Sequence, residues 1–152
     1  MSIRLFLLLI LGLVFLSNCQ RDSSTITPSE NAKLLGNWRL TKSVGGLGGW
    51  TVTPQETSIL RFTSAGTYAR LIAGVTRETG RYNYTPIANA RPNEKQATIT
   101  LSKIVFYNSS GQQSSTSNQP VNLVVLDHTD SELTVYEDQV ADGYVDYYTR
   151  AN

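Results

Sequence analysis

Ala97-Thr98-Ile99-Thr100-Leu101-Ser102 alternates apolar and hydroxyl side chains for six residues without a break. Successive side chains of an extended chain point to opposite faces, so Ala97, Ile99 and Leu101 share one face and the hydroxyls the other. The same period recurs on both sides of this segment. Upstream, Leu60 and Phe62 alternate with Ile59, Arg61 and Thr63, and Ser64-Ala65-Gly66-Thr67 reads as a tight turn into Tyr68-Ala69-Arg70-Leu71-Ile72. Tyr82 and Tyr84 share a face after Gly80. Farther up, Trp38 and Leu40, continued by Lys42 and Val44, alternate with Asn37, Arg39, Thr41 and Ser43. Downstream, Leu123 to Leu126 is a continuous apolar run, Leu133 and Val135 alternate with Thr134 and Tyr136, and Tyr144 to Arg150 closes the chain.

Period-two segments rich in Thr, Val, Ile and Tyr, broken by Gly, Asn, Asp and Pro, indicate an antiparallel all-β domain. No window of a dozen residues past Leu35 carries a helical period. About eight short strands in about 115 residues leave little room for crossovers, so neighbours pair as hairpins. Such a set closes into a barrel or stacks as a sandwich, and periodicity fits both. Two connections stand out. Gly45-Gly46-Leu47-Gly48-Gly49-Trp50 sets one large ring in a glycine-rich turn, and Asn108 to Pro120, a stretch rich in Ser, Gln and Asn, reads as a mobile loop too polar to pack.

The N-terminus sets an address. Arg4 precedes an apolar run of 12 residues, Leu5 to Leu16, followed by Ser17, Asn18 and Cys19, the only cysteine. At ~1.5 Å per residue a helix of that length reaches ~18 Å, short of the ~30 Å of a bilayer core. A signal-peptide apolar region has this length and this cationic start. Leu16-Ser17-Asn18-Cys19 resembles the lipobox of bacterial lipoproteins, which implies cleavage before Cys19 and acylation of its thiol with chains such as palmitate. Several acyl chains, at ~0.8 kcal/mol per buried CH₂, would anchor the protein stably to a membrane. Residues 1–18 are thus expected to be the signal, 19–33 the lipidated Cys19 and a polar tether, and 34–152 the domain. A short helical turn capped by Ser29 is expected to lead into it. Gln20, in place of an Asp that would hold such a protein at the inner membrane, points to the outer membrane, on its periplasmic or surface face.

Composition narrows the partners. Without the signal and its Arg4, 12 basic and 12 acidic residues remain, with no basic cluster to neutralise phosphates, so nucleic acid is excluded as a partner. With its one Cys at the mature N-terminus, the domain has no disulfide to draw on, and stability falls to the core.

Three segments carry a family resemblance. Leu35-Gly36-Asn37-Trp38-Arg39-Leu40 looks like the Gly-x-Trp first strand of lipocalins, Leu60 to Tyr68 with Thr79-Gly80-Arg81-Tyr82 resembles middle hairpins, and Tyr144 to Arg150 resembles the closing strand. Together they resemble the lipocalin-like domain of small bacterial lipoproteins. The resemblance implies a single up-and-down β-barrel of about eight strands, closed at one end, with Arg150 lying across the Trp38 indole as its base. It implies binding of a small, partly apolar or aromatic molecule by a monomer without enzymatic activity. The alternative is an envelope protein–protein interaction module.

Candidate chemistry is sparse. His128, the single histidine, sits in Asp127-His128-Thr129-Asp130-Ser131, which reads as a hairpin turn rather than a general base or metal ligand. Glu137 to Gly143 brings three carboxylates to a loop with no calcium-loop spacing, and no Gly-x-Ser-x-Gly elbow occurs. No metal, cofactor or catalytic group is expected. Ring-and-hydroxyl groups are more suggestive: Trp50, Tyr68, Tyr82 and Tyr84 are the candidate ligand contacts, with Trp50 expected at the open end. The anchor has a direct check. Cys19→Ser is expected to move the protein from the membrane fraction to the soluble one, and retention after a high-salt wash would place the anchor elsewhere.

Overall fold

The computed structural model describes residues 28–45, 48–91, 94–138 and 143–152. The signal, Cys19 and the tether up to residue 27 lie outside the described residues, as do Gly46, Leu47 and residues 139–142 of the acidic loop. A short helix, α1 (Pro28–Leu34), precedes ten strands: β1 (Gly36–Gly45), β2 (Trp50–Val52), β3 (Ser58–Phe62), β4 (Thr67–Ile72), β5 (Val75–Pro86), β6 (Ala97–Tyr107), β7 (Gln113–Ser117), β8 (Val121–His128), β9 (Glu132–Glu137) and β10 (Tyr144–Ala151).

Every strand pairing is antiparallel. The eight strands β1, β3, β4, β5, β6, β8, β9 and β10 form a ring, and β10 returns to β1 from Asn37↔Ala151 to Gly45↔Tyr144. Of the two architectures open to periodicity, the barrel is the one adopted. β2 pairs only with the far half of β1, and β7 only with the far half of β6, so both lie outside the ring.

Local chemistry explains the turns. Ala73 and Gly74, both at positive φ, join Ile72 to Val75 in a two-residue hairpin. Thr63 and Gly66 close the β3–β4 turn through Gly66 N–H to Thr63 O. The segment expected to be a mobile loop is a correction. Asn108 Oδ1 accepts from the Ser110 and Gln112 amides, Gly111 takes positive φ, and Gln113–Ser117 then pairs with β6 as β7. Polar side chains do not prevent a strand whose backbone finds partners. The helical turn also differs: α1 begins at Pro28, so Ser29 lies inside it, and its residues reach back into the stretch expected to be tether.

The core follows the alternation. Leu60, Phe62, Tyr68, Tyr82, Tyr84, Ala97, Ile99, Leu101, Leu133 and Val135 are all buried. Val124 is also fully buried, though on the opposite face of β8 from Leu123 and Val125. β1 departs from the expected pattern. Its register against β10 shifts between Leu40 and Lys42, so Thr41 is an extra residue. That bulge turns Lys42 outward, with its ammonium 4.5 Å from the Tyr147 ring centre, and puts Ser43 inside. Lys42 and Val44 therefore do not continue the inward face.

One end of the barrel is shut. Trp38 is fully buried and donates from Nε1 to Leu34 O at 2.7 Å. Arg150, its register partner, holds its guanidinium 4.2 Å from the Trp38 ring centre and donates to the carbonyls of Leu35, Lys33 and Asp130. These bonds satisfy carbonyls that the end of α1 leaves without intrahelical partners, and the cation suits that helix end. A shielded cation over an indole adds ~1–2 kcal/mol. Trp38→Ala is expected to cost ~3–5 kcal/mol and Arg150→Ala less, with a coupling above ~0.5 kcal/mol in a double-mutant cycle. Additive losses, read by denaturant unfolding, would mean the two contribute independently.

Candidate site at the open end of the barrel

The far end of the ring has a different interior. Arg70 and Glu78 are register partners on β4 and β5, and Ser43 and Asp146 on β1 and β10. Their parity carries them inward: Arg70 follows Tyr68 by two residues, and Asp146 precedes Tyr148 by two. Ser43, Arg70 and Asp146 line one cavity of about 490 Å³, walled also by Leu123, Val135, Val52 and Tyr144, and Glu78 is held to Arg70 outside that lining.

The polar groups are connected in two sets. Tyr68 donates to Glu78 Oε1 at 2.5 Å, and Glu78 Oε2 lies 3.7 Å from Arg70 Nε. Across the barrel, Asp146 accepts from Ser43 at 2.6 Å and from Tyr148 at 3.4 Å. Burial, then the hydrogen bond to Glu78 and its charge, push the Tyr68 phenol well above the usual tyrosine value. Burial and Asp146 push Tyr148 up as well, against the lowering effect of Arg70. Both phenols therefore stay protonated and donate. Burial opposes the Arg70 charge, but Tyr148, Glu78 and Asp146 outweigh it and raise its pKa.

Arg70 is the unusual member. Its Nε is buried and has no hydrogen-bond acceptor, because 3.7 Å to Glu78 is an ion pair without a hydrogen bond. Among the described residues its terminal nitrogens have none either. Protein surrounds the side chain, yet it keeps 37 % exposure, since what it faces is the cavity. Arginine has five N–H donors, and those on its terminal nitrogens are left to water or to a ligand in the cavity.

Aromatic and apolar side chains ring the mouth. Trp50 pairs with Gly45, which pairs on its other side with Tyr144, so the two rings stand on the Ser43 face of the sheet with a glycine between them. A Cβ on Gly45 would lie 2.4 Å from Gly143 O, so no other residue fits there. Trp50 is 70 % exposed, folded over Gly48. Of the five large apolar residues left exposed among the described ones, Trp50, Val52, Phe106 and Tyr144 stand at this end. A monomer usually leaves such residues scattered rather than grouped.

The four residues expected to line one ligand site do not come together. Trp50 is on the open rim, and Tyr68 is below it, buried, its ring seated on Gly80, where a Cβ would meet it at 2.7 Å. Tyr82 and Tyr84 lie in the closed half: Tyr82 packs edge-on against Phe62 and donates to Thr63 O, and Tyr84 packs against His128. They border a crevice beside α1 and not the open cavity. Inward parity placed all three tyrosines inside but could not say at which depth. Ser43, Arg70, Glu78 and Asp146 were not foreseen as site residues. Charged side chains at the inward parity of Tyr68, Tyr82 and Tyr148 were the signal for the last three.

His128 is the last residue of β8, not part of the turn, which is built by Thr129 Oγ1 accepting from the Ser131 and Glu132 amides. Its ring packs edge-on at 5.7 Å from Trp38. Among the described residues no group of three or more His, Cys, Asp or Glu could hold a metal ion, and no helix is long and apolar enough to cross a membrane. No protein-family model, curated protein or solved structure matches this chain.

Burial, with the charges of Lys33 and Arg150, lowers the His128 pKa below 6.5, although the Lys33 carbonyl and Asp127 act against the shift. The unfolded chain then takes the proton first. Stability is unaffected above pH 6.5 and falls as the pH drops from there until the native imidazole is also protonated. Thermal unfolding from pH 7 to pH 5 is expected to show a smaller decline for His128→Phe than for the parent chain. Equal declines would show that His128 is not held neutral by its surroundings.

Proposed function

We propose that this protein is a lipid-anchored envelope lipoprotein whose lipocalin-like barrel binds a small, partly apolar molecule in its open-end cavity. The observation that carries the reading is Arg70, which lines the cavity while its guanidinium has no hydrogen-bond acceptor among the described residues. The volume, about 490 Å³, lies within the ~300–1,000 Å³ of small-molecule pockets. Such pockets combine an apolar wall with a few convergent polar groups; here Leu123, Val135 and Val52 supply the first and Ser43, Arg70, Glu137 and Asp146 make the site more polar than is usual. Lipid anchoring rests on the Leu16-Ser17-Asn18-Cys19 segment, and the lipocalin likeness on the three segments quoted above, the Trp38–Arg150 base and the eight-strand ring.

A binding role requires no catalytic group, and the barrel is complete within one chain, which favours a monomer. The exposed rim residues Trp50, Val52, Phe106 and Tyr144 also favour a second reading, a module that docks another envelope protein through its mouth. Native mass spectrometry of the protein released from its host membrane separates the two. A non-covalently bound small molecule is expected on the parent chain and is expected to be lost in Arg70→Leu. Equal bare masses for both, with the mouth protected by a bound protein, would contradict small-molecule binding.

A further inference from the structure

Resting on the cavity reading, the structure assigns the open-end site to a neutral, hydroxyl-bearing ring, of the kind a sugar presents, rather than to a carboxylate or a cation. Arg70 is the one cation among the cavity's described lining residues, against the carboxylates of Asp146 and Glu137, with Glu78 paired to it from outside the lining. The formal charge of these four groups is −2. A carboxylate ligand seated on Arg70 would gain one attraction and meet three like charges, in a space where low dielectric strengthens each term. A cation would suit the carboxylates but meet the like charge of Arg70 and give its terminal donors no acceptor.

A hydroxyl group resolves both. It accepts from the guanidinium and donates to a carboxylate, and adjacent hydroxyls on a ring do so in a fixed geometry. An acceptor is available on the cavity wall, where Asp146 Oδ2 holds only the long bond from Tyr148. Tyr68 and Tyr148, kept as donors, are already spent on Glu78 and Asp146.

The rim adds a shape. Trp50 and Tyr144 flank Gly45 on the cavity side of three adjacent strands, two strand spacings or ~10 Å apart at the backbone. The backbone of Gly143 and Tyr144 closes over Gly45 and the Trp50 ring lies on Gly48, so the aromatic side chain that lines the rim of the cavity itself is Tyr144. A flat ring with apolar C–H faces and polar edges lays one face against it with its edge toward Arg70. Val52 and Leu123 line the wall beside it and suit an aglycone or a second ring face.

Three probes that share one phenyl group and differ only in head test this: phenyl β-glucoside, phenylacetate and phenyltrimethylammonium. Each is titrated calorimetrically into the full chain in lipid nanodiscs, with empty nanodiscs as reference. The glucoside is expected to bind at least tenfold tighter than either charged probe. Arg70→Lys, which keeps the charge but loses the planar fork of donors, is expected to weaken the glucoside at least tenfold. Asp146→Asn, close to isosteric, is expected to raise phenylacetate affinity at least threefold by removing one like charge. Melting curves of both variants establish that they fold. A charged probe binding as tightly as the glucoside, or an Arg70→Lys variant that folds and binds the glucoside unchanged, overturns the inference while leaving the cavity a small-molecule site. Binding of none of the three overturns the inference and the cavity reading together. A charged compound co-purifying from the host overturns the inference alone.

Discussion

The rest of the molecule depends on the Arg150 guanidinium. One side chain, next to the C-terminus, covers the Trp38 indole and donates to carbonyls of α1, of the segment joining it to β1, and of the β8–β9 turn. A barrel needs its first and last strands to meet, and here the residues that meet at the closed end, Trp38 and Arg150, are register partners across that seam. The seam, the plug and the helix cap are therefore one construction. α1 is too short to be stable alone, and burial of Leu34 with the bonds to Lys33 and Leu35 holds it in place.

Closing one end decides what the other can be. An eight-strand ring is just wide enough for side chains to fill, and in the closed half they do, with Trp38, Phe62, Tyr82, Tyr84 and Ile99. The filling changes where the strands are irregular. Bulges at Thr41 and Arg77, and the offset at Gly80 opposite Lys103, all fall where the interior turns from apolar to polar. Each re-aims the side chains beyond it: Ser43 is brought inside, Lys103 is left exposed, and Ile104 takes the buried place. Bulges next to functional regions act in this way. A polar interior lowers the stability such a domain would otherwise have, and a fold departs from its own packing rule where a site demands it.

The orientation of the mouth follows from the same topology. β1 runs from the plugged base at Gly36 to the rim at Gly45, so the chain enters the barrel at the closed end.

The β class and the identity of the core were legible because period two is a direct consequence of the pleat, and Leu60, Phe62, Ile99 and Leu133 obey it. The base pair Trp38 and Arg150 was legible only through likeness to lipocalins, since nothing local links residues 112 positions apart. The site was not. Arg70 and Asp146 sit at inward parity, yet parity says nothing about which end of a barrel a residue occupies, and the bulge at Thr41 hides Ser43 from any strict count. β7 was missed because its polar side chains carry no core signal, while its backbone bonds do the pairing.

The barrel is filled at one end and open at the other, and thiol labelling distinguishes the two ends, using Ser43→Cys and Leu60→Cys, each with Cys19 replaced by Ser. A small maleimide is expected to label Ser43→Cys in the folded protein at a rate within about tenfold of the unfolded chain, and to leave Leu60→Cys unlabelled until denaturant is added. Equal protection of the two thiols would contradict an open cavity beside Arg70.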